Sequence, residues 1–318
     1  MSLTRLPIGY YGAVMGLVGL GLTGRAAAPL FPGVIRAPAY FTELWVALGL
    51  IAFLILLPAY VLKLVRFPGA VREEFHNPAT LGFCGALPVG MGLLAGGLLP
   101  YVPPVAAVLW WAAFGLMVAL QAWGLYRLLA GGMEIGQLNG GWLILLVGGI
   151  VIPNAGTALG YADAARFVFG VSAAVVPLLV ALLFYRAAFG PQLPEVLRPS
   201  WFILLVPPSL VYANGMAFYE LRFLENLFFV GLVLAVALLI YARGFLRWPF
   251  APTWWAFTFP LDALAYAAAR YAQDHPEPVW KGVAAVCLAL ATLFVAIVLV
   301  RQVLSFFATP RTAASRPA

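Results

Sequence analysis

Charge is scarce in this 318-residue chain: Asp, Glu, Lys and Arg make up 9% of it, against 64% hydrophobic residues. A soluble domain carries about 25% charged residues, so that class is excluded. Histidine and cysteine are equally rare, two of each. With so few His, and with no HExxH, GxSxG or phosphate-binding glycine loop, the usual acid–base, nucleophilic and metal chemistries lack their residues. The chain is therefore read as a non-enzyme with no cofactor and no metal, a polytopic membrane enzyme being the remote alternative. Cys84 and Cys287 fall inside apolar runs without metal spacing and read as small core residues. His76 has no second His at ligand spacing, which argues against a metal site with Glu73.

What is abundant is apolar sequence in long runs. Roughly 20 apolar residues cross a bilayer as a helix. Ten such stretches are expected at about 6–24, 39–62, 78–98, 103–130, 141–161, 164–187, 200–219, 222–244, 253–272 and 278–301. The runs are continuous rather than alternating, which excludes a membrane β-barrel. The reading is an all-α membrane protein whose single pore domain spans 1–305, followed by a short disordered cytoplasmic tail, 306–318. The net charge of +7 is then topology rather than a nucleic-acid surface. An even count of ten puts twelve Lys and Arg on the side of both termini and six on the other: Arg25, Arg36, Arg166, Arg222, Arg270 and Lys281. That bias predicts both termini in the cytoplasm. Arg5, the apolar run and Ala26–Ala28 imitate a secretory signal, but the run is glycine-rich, which suits helix packing better.

Prolines sort by parity. The third stretch contains Pro88, the fifth Pro153, the seventh Pro207 and Pro208, the ninth Pro260; the first is glycine-rich around Gly16. Even stretches are smoother, with Pro58 and Pro177 as exceptions. Proline frees backbone carbonyls that lipid cannot satisfy, so these breaks must face protein or water. Two shells are expected: odd helices as an inner ring, even helices outside, in five hairpins with a fivefold pseudo-repeat about one axis. The bland alternative is that the prolines only shape packing.

Polar groups on odd stretches are then the path candidates: Thr80, Asn154, Thr157, Ser209, Tyr212, Asn214, Thr258 and Asp262. Each hydroxyl or amide could equally be an interhelical hydrogen bond. No Lys or Arg sits centrally in an odd stretch. Asp262 stands out, because a carboxylate at membrane depth is costly and by default functional. In an anion path it must carry a proton, pair elsewhere or point away; a structural hydrogen bond near the outer helix end is the favoured account, and proton coupling the alternative. His76-Asn77-Pro78 opens the third helix with Glu73 and Glu74 before it, a helix-start signal. Glu220, Arg222 and Glu225 read as an interfacial ion-pair group.

Together, His76-Asn77-Pro78, the Gly-rich run Tyr10–Gly19 and the stretch Trp254–Pro260 resemble the TehA/slow-type anion channel family, the tellurite-resistance/dicarboxylate transporter family. The resemblance covers nearly the whole chain. It implies ten helices in five hairpins, inner odd helices kinked around a central pore, and a homotrimer with one pore per protomer. It also implies a phenylalanine of the ninth helix plugging the pore: Phe259 is its best match and Phe257 the fallback. The expected function is an inner-membrane (bacterial plasma-membrane) channel or transporter for small inorganic or dicarboxylate anions, lined by Gly16, Thr80, Pro88, Pro153, Asn154, Thr157, Pro207, Ser209, Tyr212 and Pro260. The alternative is a proton-coupled C4-dicarboxylate carrier or a tellurite or sulfite exporter, with Asp262 as the coupling carboxylate. The partners expected are the anion, the lipid bilayer and two further copies; no nucleic acid.

Overall fold

The structure, a computed structural model, describes residues 3–35, 40–219 and 221–307. Arg36, Glu220, Arg311, Arg316 and the tail from 308 onward lie outside the described residues. No strand occurs among the described residues. The principal helices are α1 (Tyr11–Ala27), α2 (Tyr40–Arg66), α3 (Pro68–His76), α4 (Ala86–Leu98), α5 (Pro103–Leu129) and α6 (Gly141–Val147). They continue as α7 (Pro153–Ala158), α8 (Ala162–Phe189), α9 (Val206–Gly215), α10 (Glu225–Tyr241), α11 (Thr258–Asp274) and α12 (Pro278–Phe307). The last helix thus runs two residues past the expected domain end at 305.

Two kinds of long apolar segment are present, and burial separates them. Along α2, α5, α8, the 222–241 segment containing α10, and α12, only 22–33% of the most apolar window is buried. The segments Pro78–Leu98, Gly141–Ala158 and Glu195–Gly215 are 72–78% buried. These eight are long and apolar enough to cross a membrane. Ten stretches were expected; the remaining two are α1 and α11, each led in by a 3-10 segment (Ile8–Tyr10 and Pro252–Phe257). They fall short in apolarity, since α1 is glycine-rich and α11 carries Asp262, Arg270 and Asp274. Both are as buried as the inner segments, with 13 of 17 residues buried in each.

The buried segments close on themselves. α1 packs on α4, the Gly82–Gly85 turn on α6, the Gly148–Ile150 turn on α9, α9 on α11, and α11 on α1. Each also packs on the outer helix that follows it: α1 on α2, α4 on α5, α7 on α8, α9 on α10 and α11 on α12. The result is a ring of five inner segments backed by five smooth helices.

The inner segments break where the prolines dictate. A proline removes its own N–H and crowds the carbonyl four residues earlier, so the disturbance falls on its N-terminal side. Four residues before Pro88, Pro153, Pro207 and Pro260 stand Cys84, Gly149, Ile203 and Ala256. Each lies in a 3-10 segment: Gly82–Gly85, Gly148–Ile150, Glu195–Leu205 and Pro252–Phe257. Pro58 and Pro177 sit inside the continuous helices α2 and α8, where no break develops.

Close backbone approach seals the ring. A Cβ on Gly85 would stand 2.5 Å from Ile144 O and 2.9 Å from Leu145 Cα, both backbone atoms of α6 that cannot swing aside. Gly85→Ala is therefore expected to lower stability by about 1–3 kcal/mol. Gly115→Ala on α5, where a methyl meets nothing within 4 Å, should cost nothing. Thermal unfolding of the two variants in detergent compares them directly.

Candidate functional site

The ring encloses two cavities, of about 240 and 290 Å³, each roomy enough for several waters. The first is walled by the N-terminal parts of all five inner segments, through Ile8, Phe83, Leu143, Ile203 and Trp255. The second is walled by their C-terminal parts, through Gly19, Gly92, Ala155, Leu210 and Asp262. All five inner segments therefore run in the same direction past both cavities. Val151 and Phe259 line both and stand between them.

Phe259 is held there from two sides. It follows the 3-10 break ahead of Pro260, and its Cδ2 lies 3.0 Å from where Gly19 would carry a Cβ. Glycine at 19 is thus what lets the ring lie against α1. Phe257 has a different place. Its ring is fully buried among Phe202, Phe245, Trp248, Trp254 and Phe294, with centroids 4.8–6.2 Å away. It is not among the residues lining either cavity.

The first cavity is almost wholly apolar, with Thr80, Thr253 and Glu74 as its polar groups and Pro207 and Pro260 in its wall. Thr80 Oγ1 donates to Glu74 O at 3.1 Å and Asn77 O at 3.3 Å. Glu74, at the end of α3, is neutralised by Lys63: Nζ lies 2.7 Å from Oε1 and also donates to Leu6 O at 2.8 Å. Tyr60 donates to the other carboxylate oxygen at 2.7 Å. Lys63 is only 1% exposed, so a surface charge of the topology count is in fact half of a buried pair.

The second cavity is polar on one side. Asn154 donates to Asn214 Oδ1 (2.9 Å) and to the Tyr266 hydroxyl (3.0 Å), while Asn214 donates to Ile150 O (2.7 Å), a carbonyl loosened by the break before Pro153. Arg25, in the last turn of α1 rather than at its centre, lines this cavity too. It is bound bidentately to Glu43 (2.7 and 3.0 Å) and donates to Gly96 O and Gly97 O, so its charge is balanced at the helix end.

Asp262 departs from its expected role. The favoured structural hydrogen bond is absent: neither carboxyl oxygen has a partner among the described residues, although the group is 1% exposed and lines the second cavity. Its main-chain carbonyl accepts from Thr23 Oγ1 at 3.1 Å. The reason is position: the Asp262 carboxyl lies against the glycine face of α1, which offers no side-chain donor at Gly19.

Other expected lining residues do not line these two cavities. A methyl on Gly16 would collide with Thr258, so these two residues make the α1–α11 contact, and Thr258 spends its hydroxyl on Trp255 O at 2.7 Å. Pro88 and Pro153 are buried within their segments, and Thr157 is exposed beyond the second cavity's wall. Ser209 is buried toward Gly231, and Tyr212 packs between Phe228 and Tyr271. Elsewhere, His76 Nδ1 lies 2.8 Å from Arg72 O, and Asn77 Oδ1 caps the following turn by accepting from Ala79 N. Glu225 lies 3.8 Å from His275 Nε2; no ion pair to Arg222 occurs among the described residues. Tyr266 and Arg25 were missed by the sequence reading. Tyr266 had a signal, since Phe259, Asp262 and Tyr266 follow the i, i+3, i+7 spacing of one helix face.

A closed ring of buried, proline-broken helices around an interrupted path defines a multi-pass helical membrane protein of the channel-and-carrier kind. A family model described as voltage-dependent anion channel, SLAC1, matches residues 5–303. The chain belongs to that family. It is similar to the S-type anion channel SLAH3 of Arabidopsis thaliana, 25% identical over 314 residues, 96% of this chain and 49% of that one. It is similar as well to the guard cell S-type anion channel SLAC1 of the same plant, 24% identical, covering 96% of this chain and 56% of that one. A tellurite resistance protein TehA homolog of Haemophilus influenzae is 29% identical over 117 residues, 35% of this chain and 34% of that one. The chain spans about half the length of the plant relatives it matches.

Proposed function

We propose that the protein is an anion channel in which the five inner segments form one pore and Phe259, with Val151, closes it between two vestibules. The single observation that carries this reading is that Phe259 lines both cavities, in a ring to which all five inner segments contribute. The apolar ring blocks by excluding water and by filling the lumen, as hydrophobic constrictions do. The inner segments run parallel, so their positive helix ends share one vestibule, which favours an anion without a fixed free cation. Conduction is passive, and the solute is a small inorganic anion. Membership in the anion-channel family and the likeness to S-type anion channels support the choice of solute.

The same reading takes α1 and α11 as crossings, giving ten in five hairpins with fivefold pseudo-symmetry. It sets both termini in the cytoplasm of a bacterial inner membrane and assembles three copies, each with its own pore. It assigns no enzymatic step. Reconstitution tests the core of it: purified protein in liposomes should pass chloride down its gradient with no proton gradient present. A second reading, proton-coupled carriage of a C4-dicarboxylate, is favoured by the unpaired Asp262 carboxyl on the second cavity. Malate uptake that requires a pH gradient, with no chloride flux in any variant, would replace the first reading by the second.

A further inference from the structure

Among the described residues, Asp262 is the one buried carboxyl group with neither oxygen hydrogen-bonded. Its placement is not slack. Thr23 of α1 fixes its main-chain carbonyl at 3.1 Å, and Oδ2 lies 2.9 Å from the Cβ position of Gly19, so the carboxyl is held against the wall of the second cavity. One turn on, Tyr266 Oη accepts from Asn154, which leaves its own O–H available to the cavity. In the same wall Asn154 and Asn214 are hydrogen-bonded while this carboxyl is not.

The titratable and charged groups around it are few. From α1 comes Arg25, held by Glu43 of α2, and from α11 itself Tyr266, with Arg270 exposed two turns on from Asp262. The neighbouring wall contributes neutral amides, Asn154 and Asn214, and the α4 wall only glycines and leucines. On elements packed against the rest of α11 the ionisable groups are engaged or turned away. Tyr212 lies on Phe228, Glu225 toward His275, Arg301 on Leu246 O, Cys287 is buried in α12, and Lys281 is exposed. No fixed charge is thus paired with Asp262, and its occupant must come from the cavity.

We infer that the second cavity is a joint binding site for one anion and one proton, the proton residing on Asp262 and the neutral carboxyl and the Tyr266 hydroxyl donating to the anion. The inference rests on the channel reading only for its route of access. An anion beside an ionised carboxylate is repelled, and beside a protonated one is hydrogen-bonded, so anion and proton each strengthen binding of the other by the same factor. The balance is a simple transfer: one proton from water to a carboxylate oxygen, released when the anion leaves. A metal cation is a poorer occupant, because one carboxyl supplies too few oxygen ligands and Arg25 lines the same space.

Two measurements on the full chain test it. In liposomes with the same pH inside and out, nitrate flux through Phe259→Ala should rise as pH falls, by up to about tenfold per unit, the limit for one proton. In Phe259→Ala combined with Asp262→Asn the flux should be flat with pH, and with Asp262→Glu the dependence should return. In infrared difference spectra of purified protein perfused with nitrate, a protonated-carboxyl band should appear in the wild type and be missing from Asp262→Asn. A pH profile unchanged by Asp262→Asn, or no nitrate-induced carboxyl band in the wild type, would overturn the joint site. Absence of flux in every variant, with the band intact, would instead overturn the channel reading and uphold the joint site.

Discussion

Phe259→Ala raises chloride flux through reconstituted protein on the order of 30-fold, the equivalent of removing about 2 kcal/mol from the barrier. The ring stands between two cavities that already hold room for water, so truncation joins them and leaves only Val151 at the constriction. Phe257→Ala gives the opposite signature. Its ring belongs to a core of five other aromatic side chains, and its loss costs about 3–5 kcal/mol of stability with no gain in flux. Single-channel or liposome flux paired with melting curves separates the two positions. Equal flux in wild type and Phe259→Ala would mean that the barrier lies elsewhere.

Lys63→Met is expected to be the most damaging change at the first vestibule. It strips a buried cation from Glu74 and leaves that carboxylate with Tyr60 alone at the cavity wall. Breaking a buried pair costs about 3–5 kcal/mol, and contact of Glu74 with the cavity puts this case near the lower end. A second effect is electrostatic: an uncompensated negative charge at the vestibule depresses anion flux, more so at low salt. Lys63→Met combined with Glu74→Gln should recover most of the stability and the flux, and the double-mutant cycle measures the coupling. Loss from the single variant that the double variant does not repair would assign Lys63 to packing alone.

Proline parity made the breaks legible in the sequence, because the rule that frees the carbonyl four residues earlier is local. It named the four breaks, and the glycines of the first stretch marked the fifth inner segment. What stayed hidden was which polar groups reach the lumen. Ser209, Tyr212 and Thr258 carry suitable chemistry but turn toward neighbouring helices, and their orientation depends on the ring's packing rather than on spacing along the chain. Lys63 was counted only by its side of the membrane and Glu74 read as a helix-start acid, because their pairing links two elements through a contact no periodicity announces. Asp262 was noticed for its cost, yet that it has no hydrogen-bond partner depends on what the neighbouring helices present to it.

The order of the hairpins bears on how the chain is made. In every pair the more buried segment is translated first and the more exposed helix second. Breaks, glycines and polar side chains weaken the partition of the first member into lipid, whereas its successor inserts readily. On the ten-crossing reading each early member depends on the next helix to be retained in the bilayer, and insertion is expected in five steps of two. Truncation after an inner segment should leave it poorly inserted, while truncation after its outer partner leaves both in place.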